Sequence, residues 1–538
     1  MSLHPGHMAR RPSTYLVFAL PLAALLLTRW WTHSDWLLDA DAVNYARALA
    51  VFDLSRGSPH PPGYVLFVLL ARFVHQWISD PNSAYIIVNG LMQALTLALV
   101  ASVFRRMIGH IDTILIAAVV LFHPLFWYYG STASVYTADA AVTLLIAHAI
   151  LSHRDSPTAG RAFLLGLVWA GAGGIRQFTA LLAAPAVLRH LWRVRRDVAW
   201  TRLISGAVLG VTLWFVPLMY LCEGWSKYKT ASRDMFEYYL LTRSPLFSHN
   251  LSGVFYNMLS WCGAAFQLLW PLLPPLALAF VAVVRRRQRR ARGAPADSDA
   301  GLWLLLIGPA ALFFLLVHCG QMGYMLGFLV PVLAYLTGVV RGRGVSRGWR
   351  WALAATAVIE FGWFALCPPP SQKYPSAQPP EFYFQLRNWP TVAAKVYKYQ
   401  SDFTRQGLQK WQDILRGYLH TISAFPADST VIIHAYEREL QVNVLGYYTA
   451  PSALVNRHWQ RWCWTCSAGR CEDLSISIRD SLTVLELPPR IRTVLLIDER
   501  DSTSVRLYDP VLDRWRKGPI AVARDGVVAV EDLRVQWQ

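Results

Sequence analysis

Two aspartates lie two positions apart, directly after the first long apolar segment of the chain. They are Asp39 and Asp41 in the stretch LLDADAVNYARALAVFDLSRGSPHPPGYVLF. Carboxylates beside a membrane are costly unless the protein uses them, and their chemistry suits a general base. The prolines and glycine after His60 predict a fixed loop-to-helix entry, which holds His60 near the same surface as the acids. A solvated loop acid is the alternative interpretation.

Two further charged residues lie near the ends of apolar segments. Asp139 lies in VYTADAAVTLLIAHAIL, about one turn into a predicted helix, where it can face the same cavity. A helix-capping acid after Thr137 is the alternative. Arg176 lies in GGIRQFTALLAAP between two short apolar segments, which suits it to a lipid phosphate. The alternative for Arg176 is that its side chain snorkels, so that its charge reaches the membrane interface without binding a ligand.

Other cations are weaker candidates for the same phosphate, namely Arg47, His60, Lys227 and Lys229. The segment Asp39-Ala40-Asp41 also has the form of an Asp-x-Asp metal motif. A hard cation needs several oxygen ligands, and few acids lie nearby. The sequence therefore predicts no required cofactor and no metal ligands, and it leaves open assistance by a divalent cation, Mg²⁺ or Mn²⁺.

The composition excludes the possibility that the chain is a single large soluble enzyme. The 538 residues are 54% hydrophobic and only 16% charged, whereas soluble proteins average about 25% charged residues. A net charge of +18 is also found in nucleic-acid binding proteins. Here, however, the arginines form short runs between long apolar stretches, as in the cytoplasmic loops of membrane proteins. The sequence predicts a polytopic membrane protein without a nucleic-acid partner.

A membrane-spanning helix needs roughly 20 mostly apolar residues. By this criterion the sequence predicts about eleven spans. These are Tyr15–Trp31, Ala84–Phe104, Ile114–Tyr129, Val135–Leu151, Ala162–Ile175, Thr179–Leu191, Leu203–Leu221, Phe266–Val284, Leu302–Cys319, Tyr324–Val340 and Trp349–Leu366. The asymmetry of the arginines places the N-terminus in the cytoplasm and residues 32–83 in the first outside loop. Within that loop Pro62–Ile78 is predicted to lie along the membrane interface, because Arg72 and His75 interrupt it. The predicted location is the plasma (inner) membrane.

The composition changes after the last predicted span. Residues 1–367 form the predicted membrane module, 368–387 a proline-rich linker, and 388–538 an extracytoplasmic domain of ordinary soluble composition. A helical period over Val392–Leu419 and strand patterns at Thr430–His434, Thr483–Leu487 and Thr493–Asp498 favour a small α/β domain. The predicted fold is therefore mainly α, a polytopic helix bundle with a C-terminal α/β domain.

Three cysteines in the predicted outside domain are close together in sequence, at Cys463, Cys466 and Cys471. One disulfide with a free thiol suits an oxidising compartment. A zinc site that includes His458 is the alternative. The sequence leaves both open, and neither predicts catalysis.

Four segments, taken in order, resemble one enzyme superfamily. Asp41, Tyr45 and the stretch Pro59 to Tyr64, where Val65 replaces the usual proline, are similar to the first outside loop of the GT-C glycosyltransferases. The resemblance is strongest to their bacterial protein O-mannosyltransferase-like branch. It continues at Asp139 with the second acid and at Arg176 with a Gly-x-Arg-Gln segment, and it ends in GQMGYMLGFLVPVLAYLTG with a late Gly-Tyr…Pro helix.

The resemblance implies transfer of a sugar from a polyprenyl-phosphate carrier to a hydroxyl or amide outside the cytoplasm, with inversion. By this resemblance Asp41 is the general base and Asp139 is a second catalytic residue, and positive charge is needed for the leaving phosphate. The implied partners are the polyprenyl-phosphate-linked sugar and membrane lipid, with the acceptor (protein, lipid or glycan) unspecified. Two alternatives stay open, a lipid or polysaccharide transporter and a non-catalytic assembly protein. A transporter would need polar residues at the bilayer centre, whereas the predicted spans are nearly free of charge there and Glu360 is the main exception.

Overall fold

The computed structural model divides the chain into two compact units by its internal contacts. One comprises Met1–Ser34 and Asn44–Leu408, and the other Asp35–Val43 and Gln409–Gln538. The structure describes residues 12–244, 246–247, 251–289, 299–317, 322–341, 346–367, 402–436, 442–449, 453–458, 461–465, 475–479, 482–487, 491–498, 504–509, 514–517, 528–530 and 533–537.

The larger unit is built from helices, several of them strongly apolar. They are α1 (Pro12–Thr32), α2 (Ala40–Ala50, which begins in the other unit), α3 (Val65–His75), α4 (Pro81–Met107), α5 (His110–Phe122), α6 (Pro124–Gly130), α7 (Tyr136–Asp155), α8 (Ala159–Gly171), α9 (Gln177–Arg193), α10 (Trp200–Leu221), α11 (Trp225–Arg243), α12 (Leu251–Leu269), α13 (Leu273–Arg289), α14 (Ala300–Leu316), α15 (Leu326–Arg341) and α16 (Ser346–Leu366). Short 3₁₀ turns lie at Leu54–Arg56, Ala172–Gly174, Trp270–Leu272 and Met322–Met325.

Four helical stretches of the described residues are long and apolar enough to cross a membrane, or five if a bent pair is one span. They are Pro81–Met107, Trp200–Leu221, Trp261–Val284 and Met322–Val340. In α4 the start is fixed by Asp80, which caps the helix through the backbone N–H of Ser83, and by Pro81 at the first helical position. The chain is thus a mainly helical, multi-pass membrane protein, and the count of eleven spans stays a prediction.

The predicted span Ile114–Tyr129 is wrong as one continuous helix. The structure breaks it at His123 into α5 and α6, which are bent by 60° to each other. Pro124 disfavours helical backbone at the preceding residue, and His123 has an extended ψ of 125°. Carbonyl groups beside the break accept hydrogen bonds from two buried side chains, Leu121 from Arg29 and Phe126 from Gln93. These two carbonyls are therefore satisfied within the protein, as an apolar surrounding requires.

The predicted interfacial helix begins later than the sequence suggests. Pro62–Ile78 was the expected range, whereas α3 covers Val65–His75. Gly63 and Tyr64 have positive φ angles of 104° and 44°, and a left-handed turn cannot continue into a right-handed helix at those residues. Pro62 is consequently part of the turn before the helix and not its first residue.

The smaller unit contains helices α17 (Arg405–Ile422, which begins in the larger unit) and α18 (Val442–Tyr448) and two mixed sheets. Its strands are β1 (Thr430–Tyr436), β2 (Ala453–His458), β3 (Arg461–Thr465), β4 (Ser475–Arg479), β5 (Leu482–Leu487), β6 (Thr493–Asp498), β7 (Ser504–Asp509), β8 (Arg514–Lys517), β9 (Val528–Val530) and β10 (Leu533–Trp537). The sheet orders are β3-β2-β1-β6-β7-β8 and β4-β5-β10-β9.

Strand β1 is the centre of the six-stranded sheet, parallel to β2 and β6, and it has a run of buried residues, Val431, Ile432 and Ile433. A continuous apolar run is typical of a strand that is covered on both faces. Strands occur at each of the three stretches that the sequence predicts. Of the predicted helix Val392–Leu419, the part before residue 402 lies outside the described residues.

Helices α8 and α10 pack backbone to backbone. A Cβ atom on Gly206 would overlap the carbonyl oxygen of Phe163, and one on Gly166 would overlap that of Leu203. Gly206 and Gly210 form a Gly-x-x-x-Gly pair on α10, the spacing that lets membrane helices approach closely. This contact fixes α8, and through the 3₁₀ turn that follows, the start of α9.

Replacing Gly206 by alanine should destabilise the fold. The added methyl group has to displace backbone atoms of α8, so the free energy of unfolding should fall by about 1–3 kcal/mol. Gly308 is the matched control, because it also lies inside a helix but has open space where a Cβ would stand. Gly308→Ala should leave stability unchanged or raise it by up to about 1 kcal/mol. Thermal unfolding of the purified chain measures both, and equal effects would refute the packing argument.

Candidate functional site

Asp139 and Arg176 form a buried ion pair. Asp139 lies in the first turn of α7, and Arg176 is the residue before α9, after the 3₁₀ turn Ala172–Gly174. The guanidinium donates to Asp139 Oδ2, and the Thr179 hydroxyl donates to Oδ1 over 2.7 Å. Asp139 and Arg176 are each only 5% exposed. The structure thus brings together two residues that the sequence offers as separate candidates.

Aromatic rings surround the guanidinium of Arg176. Its central carbon lies 4.3 Å from the ring centroid of Tyr324 and 5.6 Å from that of Tyr136, distances at which a cation is attracted to an aromatic face. Tyr64 is also an electrostatic neighbour of Arg176. A guanidinium has five N–H donors, and Asp139 is its one side-chain acceptor among the described residues. The remaining donors suit an anionic ligand.

A groove that is open to its surroundings runs beside this ion pair, with a cavity volume of about 40 Å³. Its polar lining includes both members of the pair together with the hydroxyl groups of Thr143, Thr179 and Tyr324. The other lining residues are apolar, namely Phe178, Leu182, Ala183, Leu306, Ala310, Gly327, Phe314 and Phe328. A groove with one cation, several hydroxyls and an apolar wall is suited to a ligand that combines an anionic group with a hydrocarbon chain.

The His60 to Tyr64 segment lies next to the same site. The His60 Nε2 atom is 3.1 Å from the Tyr64 hydroxyl oxygen, and Tyr64 in turn neighbours Arg176. Tyr45 from α2 packs edge-on against the Tyr64 ring, with centroids 5.6 Å apart. Tyr45 is fixed there because the Tyr85 hydroxyl donates to its carbonyl over 2.8 Å. This motif therefore holds a tyrosine within electrostatic range of the guanidinium.

The two aspartates at the start of α2 have different surroundings. Asp39 precedes the helix, and its Oδ1 accepts from the backbone N–H of Ala42 over 2.7 Å, so it caps the helix. Desolvation, followed by the charge of Asp41, raises the pKa of Asp39 from 3.8 to about 7. Asp41 lies in the first helical turn and is partly exposed. Among the described residues no group of three or more His, Cys, Asp and Glu side chains is arranged to hold a metal.

The lesser cation candidates do not line the groove. Arg47 is half-buried on α2. Lys227 is exposed on α11 and forms an ion pair with Glu223, and Lys229 is exposed on the same helix. Thr179 is a polar residue at the site that the sequence analysis missed; its position three residues after Arg176, one helical turn on, is the only signal for it. The side chains of the cysteine cluster, Cys463, Cys466 and Cys471, lie outside the described residues.

Removing the carboxylate of the buried pair should be costly. Asp139→Asn leaves the guanidinium of Arg176 buried without a counter-charge, and such a change typically costs about 3–5 kcal/mol of unfolding free energy. The pair Arg106–Asp155 is the control, because its side chains are 37% and 42% exposed. Asp155→Asn should cost about 1 kcal/mol or less. Chemical unfolding of both variants measures the two losses of unfolding free energy. If Asp139→Asn costs no more than Asp155→Asn, the buried pair does not stabilise the fold.

The pKa of Asp39 predicts a dependence of stability on pH. Because its pKa is higher in the folded chain than in the unfolded chain, the folded state binds the proton more tightly. The stabilisation of the folded state that results from this tighter proton binding is complete below about pH 4, and it is lost as the pH rises through about 7. Asp39→Asn should remove that part of the pH dependence, while the asparagine still caps the helix. Unfolding temperatures from about pH 5 to 8 test it, and parallel curves for both proteins would contradict it.

Comparison with known proteins gives two findings. Residues 48–199 match the family model of the protein O-mannosyl-transferase TMEM260 N-terminal domain. No curated protein matches the chain significantly. The matched range includes Tyr64, Asp139, Arg176 and Thr179 and therefore most of the polar residues of the groove.

Solved structures of similar fold are also found. ArnT from Cupriavidus metallidurans bound to undecaprenyl phosphate has a TM-score of 0.54 and 16% identity, over 82% of this chain and 85% of that chain. The apo structure of the same protein has a TM-score of 0.52 and 16% identity, over 81% and 85%. The fold of the chain is therefore similar to that of ArnT, and residues 48–199 are similar to the N-terminal domain of the protein O-mannosyl-transferase TMEM260.

Proposed function

We propose that the protein is an integral-membrane glycosyltransferase that moves a sugar from a polyprenyl-phosphate donor to an acceptor outside the cytoplasm, with inversion. The observation that carries the proposal is the groove beside Arg176, which brings the guanidinium group together with an apolar wall. ArnT, which has a similar fold, was crystallised with undecaprenyl phosphate, a ligand of the same chemical class.

Arg176 is proposed to bind the donor phosphate. The phosphate leaves with the bonding electrons of the sugar–oxygen bond, so its negative charge increases during transfer. Guanidinium donors aimed at that oxygen stabilise the transition state more than the ground state. Asp139 keeps Arg176 in place and neutralises its charge in part, and the hydroxyl of Tyr324, which also lines the groove, is proposed as a further donor. The isoprenoid chain would lie against Phe178, Leu182 and the other apolar residues.

Asp41 is proposed to be the general base, by its resemblance to the catalytic acid of the superfamily. The acceptor hydroxyl has to lose a proton as it attacks the anomeric carbon, and a carboxylate can accept it. Attack opposite the leaving phosphate inverts that carbon. Asp39 is not given this role, because one of its oxygens caps α2.

No cofactor is required by this proposal, and dependence on Mg²⁺ or Mn²⁺ can be read from the assay with and without a chelator. The acceptor (protein, lipid or glycan) is left unassigned. The plasma (inner) membrane and an extracytoplasmic C-terminal domain belong to the same proposal and follow from the arginine asymmetry. The non-catalytic assembly protein and the transporter are the competing functions.

Asp41→Asn should abolish transfer in a folded protein. Asparagine preserves the volume and hydrogen bonding of the side chain but cannot accept the proton, so the rate should fall by about 10²–10⁴-fold. The assay measures sugar transfer or release from polyprenyl-phosphate donors by the purified chain. Asp39→Asn is the matched control, because asparagine retains the helix cap, and its effect should be much milder.

Arg176→Lys separates binding of the donor from chemistry at Asp41. Lysine keeps the charge beside Asp139 but lacks the planar set of N–H donors, so donor KM should rise, with the pH profile unchanged. If Asp39→Asn is inactive and Asp41→Asn is active, the base is two residues earlier than proposed. If neither aspartate matters, the catalytic function fails and the assembly protein replaces it.

A further inference from the structure

The C-terminal end of α9 carries an exposed surface of arginines and tryptophans. We call it the arginine–tryptophan surface, and it comprises Trp192, Arg193, Arg195, Arg196, Trp200 and Arg202. The two indoles are 71% and 45% exposed. No described side chain of the groove belongs to it, and the proposed transfer reaction does not use it.

The surface is held in one conformation by its own contacts. The Arg195 guanidinium carbon lies 4.8 Å from the ring centroid of Trp192, and its Nη1 donates to the Trp192 carbonyl over 2.9 Å. The Trp200 Nε1 donates to the Arg195 carbonyl over 3.2 Å. A turn between the helices is closed by the Asp197 N–H, which bonds to the Val194 carbonyl over 2.9 Å. The charges are therefore presented on a defined scaffold.

The positive charge of this surface is not balanced within the described part of the chain. Arg193, Arg195, Arg196 and Arg202 form no ion pair with any described carboxylate, although Asp197 is exposed in the same turn. At the C-terminal end of α4, by contrast, Arg106 forms an ion pair with Asp155. Counter-ions from outside the described residues can balance these four exposed guanidinium groups, which lie within ten residues of sequence.

The position of the surface indicates where such counter-ions come from. The 17 residues of α9 separate it from Arg176 by about 25 Å, close to the roughly 30 Å thickness of the hydrocarbon core. Exposed apolar residues, Leu188 and Ile204, lie on the adjoining turns of α9 and α10. Indoles beside apolar helix surface are typical of the membrane–water interface. The sequence predicts a span at Thr179–Leu191, and such a span would place the arginines at the depth of lipid headgroups.

We propose that the arginine–tryptophan surface binds the phosphate of an anionic phospholipid headgroup, in the leaflet opposite the proposed donor site. Arg193 and Arg195 contact the phosphate, and Trp192 and Trp200 lie at the depth where the headgroup meets its acyl chains. An acidic protein segment would satisfy the charges, but it would leave both indoles without an apolar environment. This site is independent of the proposed transfer reaction.

The test titrates the purified full chain in detergent with phosphatidylglycerol or phosphatidylcholine and counts bound lipids by native mass spectrometry. The unmodified chain should bind phosphatidylglycerol more tightly. Each arginine at an anionic surface contributes about fivefold, so Arg193→Gln/Arg195→Gln should weaken that binding roughly 25-fold. Arg196→Gln/Arg202→Gln is a second variant at exposed residues, used if the first pair of changes disturbs folding. It should weaken phosphatidylglycerol binding by the same order.

Arg233→Gln is the control, because Arg233 is equally an exposed arginine but already contacts Asp234 and Glu237. It should leave phosphatidylglycerol binding unchanged. The proposal is overturned if both arginine pairs can be replaced without loss, or if phosphatidylcholine binds equally well. Full competition by glycerol phosphate, which has no acyl chains, would also overturn it, because the site would then recognise a soluble anion. Loss of lipid binding with sugar transfer intact supports the site and leaves the transfer proposal standing.

Discussion

The buried contact between Asp139 and Arg176 is the constraint on which the rest of the site depends. Two charges are taken out of water at the start of α7 and α9, and each is tolerable there only because the other is present. The contact fixes the relative position of these helix ends. It also fixes the edge of the groove, because Thr179 bonds to the same carboxylate. The same pair therefore supports the fold and forms the polar part of the groove.

Partial neutralisation of Arg176 has a consequence for a ligand. An isolated buried guanidinium would bind a lipid phosphate very tightly and release it slowly, whereas a paired one offers N–H donors with less net charge. The rings of Tyr136 and Tyr324 add attraction to the cation without adding negative charge. A transferase that has to release a lipid phosphate after each turnover benefits from such moderate binding. The proposed donor site is consistent with that requirement.

The sequence predicted the apolar helices well because long hydrophobic runs depend only on composition. It could not predict which proline breaks a helix. Pro217, Pro309 and Pro331 lie inside continuous helices, whereas Pro124 follows a break. Tertiary contacts distinguish the break at Pro124 from the continuous helices, because the buried side chains of Arg29 and Gln93 donate to carbonyls beside the break. Likewise, Asp139 and Arg176 could be named from the sequence, but their pairing across 37 residues could not.

The first two aspartates show how the fold distinguishes residues that the sequence presents as equivalent. Two carboxylates two residues apart cannot both ionise without mutual repulsion. Desolvation of Asp39 and the charge of Asp41 raise the pKa of Asp39 to about 7, so near neutral pH it holds its proton for much of the time. Asp39 also has one oxygen committed to the helix cap. This helix cap argues against Asp39 as the base, and the resemblance to the superfamily favours Asp41 for that role.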